Sequence, residues 1–584
     1  MHLPTSTLSI ALIALAMTTI TSQAEDNDAR ARRFVQQYEE TVRPLEIDVN
    51  HRWWDANLSG KDADYRKKEE AETRLELKLA NPKPFAELKA IRSQPVEDRL
   101  LARQIAVLHL QYLPRQVDPE LLKQMLAISN RVEQTFNVYR AKVNGKELSD
   151  SEVRRVLQES KDPAQRRAVW EASKRVGRAV EPDLKRLVKL RNESARKLGY
   201  KDYHVMQLAL GEQSQEQVLA LCEELDALSR APFQALKKEI DAALARQCNV
   251  KPGELRPWHY HDPFFQEAPD VFGEDDDAIF SKLDIPKVCA EFYAGIGLPV
   301  DDVLRRSDLF EKPGKNPHAF CNDLDRAGDV RTLCNIVPNK YWLGTLLHEL
   351  GHATYSSKNI PATLPYALRT DAHALSTEAV AMMFEDFGAS AEWLKAFGAK
   401  VPDPEKFNRR AKKERQAEAL IFSRWCQVMF RFEKELYANP EQDLNKVWWD
   451  LVEKYQGITR PQGRDEPDYA AKIHVVSAPA YYHNYLMGRL FAAQLREAIV
   501  RDVLSRVSVP ACPGSETGNG PGRASETLAL RAWPAGVIGN KAFGQFMRER
   551  VFRPGRTVDW QQLGRQATGE PLGAKAFAAE FKGK

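Results

Sequence analysis

Apolar residues recur at three- and four-residue spacing along most of the chain, with charged positions between them. That is the pattern of amphipathic helices, each burying one face. The stretch "ARRFVQQYEETVRPL" (Ala31–Leu45) shows it, as does the run from Asp162 to Gly199. This run opens with Asp162-Pro163, a helix-start signal, and closes at a glycine, a helix-stop signal. Alternation with a period of two is scarce, and the best strand candidate is "DVRTLCNIVP", Asp329–Pro338. The pattern predicts a mainly α protein with few short strands and no short-period repeat.

Two stretches break the pattern. "LSIALIALAMTTI" (Leu8–Ile20) is continuously apolar and is followed by the small residues "SQA" and the charged "EDND". This layout predicts a secretory signal over residues 1–24, cleaved near Glu25. An apolar run of about 13 residues is too short for a bilayer span, so no membrane anchor is expected after cleavage. The expected location is secreted or periplasmic. The second break, "SRVSVPACPGSETGNGPGRASE" (Ser505–Glu526), is dense in Gly, Pro and Ser. It cannot bury enough apolar surface to order itself, and predicts a loop insert at about 505–538 within one catalytic domain, residues 25–584.

Composition narrows the function by exclusion. The balance of 85 Lys and Arg against 81 Asp and Glu leaves +4 over 584 residues, too near neutral for a nucleic-acid or membrane-surface protein. Seven cysteines are too few, and odd in number, for a disulfide scaffold; none has CxxC spacing, and only Cys321 and Cys334 lie close enough in sequence to suggest a pair. Sequons at Asn57 and Asn192 matter only in a glycosylating host.

The chemistry concentrates in "WLGTLLHELGHATY", Trp342–Tyr355. Helical positions four apart share a face, so His348 and His352 can present two imidazoles to one metal ion. Glu349 is then placed as a general base, while Leu343, Leu346, Leu347 and Leu350 anchor the helix. A catalytic zinc needs a third protein ligand and an open fourth position. The downstream stretch "DAHALSTEAVAMMFEDF" offers Glu378, Glu385 and Asp386. Glu378 heads the apolar stretch and is chosen; Glu385 and Asp386 are expected on the solvent face or just behind the ligands, as partners that steady them. A second cluster, "AAKIHVVSAPAYYHNYLMG", packs Lys472, His474, Tyr481, Tyr482, His483 and Tyr485 together. Such segments are commonly core, yet Tyr and His also supply donors to a developing oxyanion.

In their order along the chain, these motifs resemble the angiotensin-converting-enzyme family of zinc peptidyl-dipeptidases. "WWDANLSGKD", the helical pair after Asp162, "FYAGIGLPVDDVLRRSDLFEKPGKNPHAFCND", "HELGH", "WWDLVEKYQG", "KIHVVSAPAYYHNY" and "ATGEPLGAKAFAAEF" carry the likeness across nearly all of residues 25–584. The resemblance implies a helical ellipsoid with a deep central cleft between two subdomains. It implies one zinc per chain on His348, His352 and Glu378, with Glu349 as base. His474 and Tyr485 would stabilise the tetrahedral intermediate, and His474 would be the proton donor. Lys472 and Tyr482, or Tyr481 beside it, would hold a substrate's terminal carboxylate, with Gln266 a weak counterpart for the family's glutamine. His318 and Ala319 would bind substrate backbone.

The chain also departs from the family. The interval from His352 to Glu378 is about two residues longer than in the animal enzymes, and Met382 stands where an acidic partner is expected. "EAVAMMFED" also resembles the thimet-oligopeptidase family. Val452 and Asn484 stand where chloride-binding arginines fall, so chloride activation is not expected. The resulting expectation is an exported zinc peptidase acting on oligopeptides and releasing C-terminal dipeptides. The alternatives are an oligoendopeptidase and a peptide-binding homologue without catalysis.

Overall fold

The computed structural model describes residues 26–272, 276–505 and 533–581. The expected signal stretch, Cys512 and most of the expected insert lie outside the described residues. The rest is predominantly helical, with four short strands in two antiparallel pairs among the described residues.

The first helical prediction resolves into α1 (Asn27–Thr41) and α2 (Arg43–Ser59), split at Val42 with Pro44 in the first turn of α2. With the helices up to Tyr112 they form a small core of their own around Phe34, Tyr38, Leu88 and Ile105, closed by Tyr366. Hairpin β1 (Ala141–Val143) and β2 (Lys146–Leu148) was not anticipated. Its signal is Asn144-Gly145, both at positive φ (51° and 80°), the backbone that a tight hairpin turn requires. The Asp162–Gly199 run folds as predicted, into α3 (Pro163–Lys174) and α4 (Val176–Lys197), with the Asp162 side chain capping α3.

Apolar side chains from Ile128 to Phe577 then join in one connected core. On it lie β3 (Phe320–Asp323) and β4 (Val330–Leu333), paired Phe320 to Leu333, so the predicted strand is present but shorter. This register sets Cys321 opposite Thr332. Cys334 falls beyond the ladder, and both thiols are free, so the suggested pair is not formed. Both sequons are buried as well: Asn57 donates to the Trp53 carbonyl and Asn192 to that of Tyr437.

The site is carried by α5 (Lys340–Thr354), α6 (Ala374–Glu385), α7 (Pro404–Ala438), α8 (Leu444–Gln456) and α9 (Tyr482–Ile499). Two glycines let three of these helices meet at backbone distance. A Cβ on Gly351 of α5 would lie 2.8 Å from the Ala381 Cα of α6. One on Gly488 of α9 would lie 2.8 Å from Met382 Cε and 3.2 Å from Glu378 Cβ, both on α6. Backbone cannot yield as a side-chain tip can. Gly351→Ala is therefore expected to lower stability by about 1–3 kcal/mol through overpacking. Gly564→Ala, where an added Cβ meets nothing within 4 Å, should be neutral or stabilising. Chemical denaturation of both variants checks this, and equal stability would refute it.

Candidate metal centre and cleft

The Asn339 side chain caps α5 by accepting from the Trp342 N–H, and Leu343, Leu346, Leu347 and Leu350 lock its inner face at 0% exposure. The opposite side turns His348, Glu349 and His352 toward a cavity of about 770 Å³. α6 supplies Glu378 to the same cavity, and α9 supplies Tyr485.

The two histidines face each other with Nε2 atoms 3.2 Å apart, and Glu378 Oε2 lies 3.8 Å from Nε2 of His348. All three donor atoms fall within 4.8 Å of one another. Two nitrogens bound tetrahedrally at about 2.0–2.1 Å would stand roughly 3.3 Å apart, so the histidine pair already has the spacing of zinc ligands. The outer nitrogens are taken. Nδ1 of His348 meets Glu385 Oε2 at 3.0 Å, and Nδ1 of His352 meets the Thr377 hydroxyl at 2.7 Å. A carboxylate on Nδ1 holds the proton there and leaves the Nε2 lone pair facing inward, as a metal-ligating histidine requires.

The carboxylates gathered here favour positive charge at this point. Burial would depress His348, but the hydrogen bond and charge of Glu385, with Glu349 and Glu378, raise it to about 9. His352 has no such support and is driven well below its ordinary value by burial and by the charge on His348. Glu349, 7% exposed, is pushed up to about 7 by burial, against the attraction of His348. Three carboxylates around two imidazoles form a set that a cation completes, and the residues fit zinc in type, number and spacing.

Of the two places expected for Glu385, the structure gives it a share of both. Glu385 stays open to the cleft yet is bonded to His348, seven residues along α6 from Glu378 and so on the same face. That spacing was the available signal. Met382, one turn from Glu378, packs against Gly488 instead.

Aromatic contacts lead from Tyr485 away from the metal centre. Phe422 of α7 lies 6.3 Å from the rings of both Tyr485 and Tyr482. Beyond them Lys472, 8% exposed, points its Nζ at the faces of Phe264, Trp425 and Tyr482 and donates to Gln266 Oε1 at 2.7 Å. Of the two adjacent tyrosines, Tyr482 thus sits beside Lys472, whereas Tyr481 packs on Tyr485. Burial lowers Lys472 to about 8. His474, its ring 5.1 Å from that of Tyr482, is lowered to about 4 by burial and by Lys472. It belongs to this end rather than to the lining of the metal cavity.

Ala319 and all of β3 line the cavity, and the edge of β3 away from β4 carries no strand among the described residues. His318, one residue earlier, is exposed and is not part of the lining. Sequence reasoning missed Thr377, Phe422 and Arg489, all of which line the cavity.

The family model for angiotensin-converting enzyme, peptidase family M2, matches residues 25–230 and 270–513. The chain belongs to the angiotensin-converting enzyme family. It is 22% identical over 306 residues to angiotensin-converting enzyme of Sus scrofa, covering 49% of this chain and 23% of that protein. Over 389 residues it is 20% identical to the angiotensin-converting enzyme of Theromyzon tessulatum, covering 63% and 58%. The matches thus span under a quarter of the mammalian relative and just over half of the other. Membership makes the chain a metallopeptidase, and no helix among the described residues is long and apolar enough to cross a membrane.

Glu378→Ala should abolish stoichiometric metal binding, since a ligand is lost. Glu385→Gln keeps all three ligands but loses the charged partner of His348, and should weaken zinc about 10- to 100-fold. Competition titration against a chelator measures both, and an unchanged affinity in Glu385→Gln would remove its role.

Proposed function

We propose that the chain is a zinc-dependent peptidyl-dipeptidase, exported by its apolar leader, that releases dipeptides from the C-termini of oligopeptides. One observation carries this reading: a buried lysine in an aromatic box, already hydrogen-bonded to a glutamine, lies along the same aromatic wall as the metal triad. Such a box is suited to a single anionic group at the end of a peptide. The free edge of β3 can pair with an extended substrate backbone, a common mode of peptide binding.

Zinc held by His348, His352 and Glu378 would polarise the scissile carbonyl and lower the pKa of water there to about 7. Glu349 would take the proton of the attacking water and return it to the leaving amine. Tyr485, its phenol kept protonated by burial, would donate to the developing oxyanion. His474 is neutral at pH 7, so it would serve as an N–H donor, and the leaving-group proton would come from Glu349. Glu385 and Thr377 would hold the imidazoles in register.

Glu349→Gln should retain zinc and lose activity at least about a hundredfold, the scale of a general base. Near-normal turnover with zinc bound would reject the assignment.

Amidating the substrate's C-terminus should cut kcat/KM by about ten- to a hundredfold, as one charged hydrogen bond goes unmade. The free-acid peptide should also show an alkaline limb. Lys472, faced by Asp262, Arg154 and Glu267, loses its charge above about pH 8, so kcat/KM falls as pH rises through that value. The amide should lack this limb. Equal cleavage of acid and amide at all pH values would favour an oligoendopeptidase.

Chloride should not activate. Val452 is buried and apolar, and the Asn484 amide oxygen accepts from Gln213 at 2.9 Å, so neither brings a positive charge. Lys174 lines the same small cavity as Val452, but Asp468 lines it too. Titrating chloride against acetate at constant ionic strength tests this; saturable activation of several-fold would overturn it.

A further inference from the structure

Arg489 is the cleft residue that the proposed reaction leaves unused. It stands on α9 four residues after Tyr485, hence on the same face, and lines the cavity with Glu378, Met382, Glu385, Phe422 and Tyr485. Its Nε is buried without a hydrogen-bond partner, and the guanidinium makes no hydrogen bond or ion pair with any described residue. A guanidinium presents five donors in a rigid fork, and leaving them unmet beside an apolar wall is costly. The carboxylates that feel its charge are otherwise placed or too distant. Glu378 is a proposed ligand, Glu385 is bonded to His348, and Glu418 forms no ion pair among the described residues.

Its position indicates which part of a substrate it would meet. α7 and α9 together form the wall that carries Trp425, Tyr482 and, beside them, Lys472. Phe422 and Tyr485 continue that wall to Arg489, while β3 and Asp323 line the cavity elsewhere. Residues C-terminal to the scissile bond would run along the α7–α9 wall toward Lys472. We propose that Arg489 is a specificity-determining residue that pairs with an acidic side chain on the released dipeptide, while Phe422 packs against the stem of that side chain. The proposal rests on the dipeptide-releasing reading for the identity of the leaving residues.

The test uses matched free-acid peptides with Glu or Gln at each of the two leaving positions and at the position before the cut. Product masses identify the bond cleaved. The wild-type enzyme should prefer Glu over Gln about tenfold or more in kcat/KM at one leaving position, the scale of a charged hydrogen bond. In Arg489→Gln that ratio should fall to near one, and Arg489→Lys should restore part of it. A wild-type ratio of one or below at both leaving positions, or a preference only before the cut, would overturn the proposal without any variant. So would a ratio that survives in Arg489→Gln while rates for both peptides fall with zinc affinity, since Arg489 would then only balance the charge of Glu378, Glu385 and Glu418. The amide comparison reads the dipeptidase assignment separately, because the Glu-to-Gln ratio is measured at whichever bond is cut.

Discussion

The contact of α5 with α6 at Gly351 is the constraint on which the site depends. With no Cβ between them, the helix bearing both histidines and the helix bearing Glu378 approach at backbone distance. Gly488 brings α9, and with it Tyr485, against the other side of α6. Donor positions are then set by rigid backbone contacts rather than by long side chains reaching across a gap. Sites built this way on helices hold their geometry to a fraction of an ångström, which catalysis by positioning demands. Met382 marks the consequence. Its position on α6 faces Gly488, where a side chain must fill space, so the charge that steadies His348 comes from Glu385 instead.

The cleft also carries unmet charge of opposite sign in two places. Around His348 and His352, Glu349, Glu378 and Glu385 are drawn together where burial disfavours the charged form. In the aromatic box, Lys472 is held with only a neutral amide as hydrogen-bond partner among the described residues. Isolated buried charges are expensive, and a fold that keeps them is one in which binding relieves them. On the proposed reading a divalent cation would satisfy the first set, and a peptide's terminal carboxylate the second.

Much of this was legible in the sequence, for reasons of periodicity. The histidine pair and Glu349 follow from helical spacing alone, and Glu378 from its place at the head of an apolar stretch. The clustering of Lys472, His474, Tyr482 and Tyr485 needed only local order along the chain. Contacts between distant segments were not legible from periodicity. Gln266 meets Lys472 across 206 positions, and only the family likeness, which offered it as a weak counterpart of a carboxylate-binding glutamine, marked it for that role. Phe422 and Arg489 resemble ordinary helix residues until α7 and α9 are packed. The β1–β2 hairpin could have been read from Asn144-Gly145, and was obscured by the helical pattern on either side.

The interval between His352 and Glu378, which the family likeness makes about two residues longer than in the animal enzymes, lies where motif spacing could drift while a site persists. The chain from Tyr355 to His373 is loop with one short helical turn, Tyr366–Leu368. Its ends are tied together, since the Ala372 N–H donates to the Tyr355 hydroxyl at 3.1 Å. Added residues can therefore be absorbed between two fixed points at small entropic cost. The distance from His352 to Glu378 is measured through the Gly351–Ala381 contact, not along that loop. Spacing within a helix, by contrast, cannot change by one residue without turning a side chain to another face. His-Glu-x-x-His thus stays rigid in sequence, and a carboxylate that meets His348 from α6 has to lie on the face that carries Glu378, as Glu385 does seven residues on.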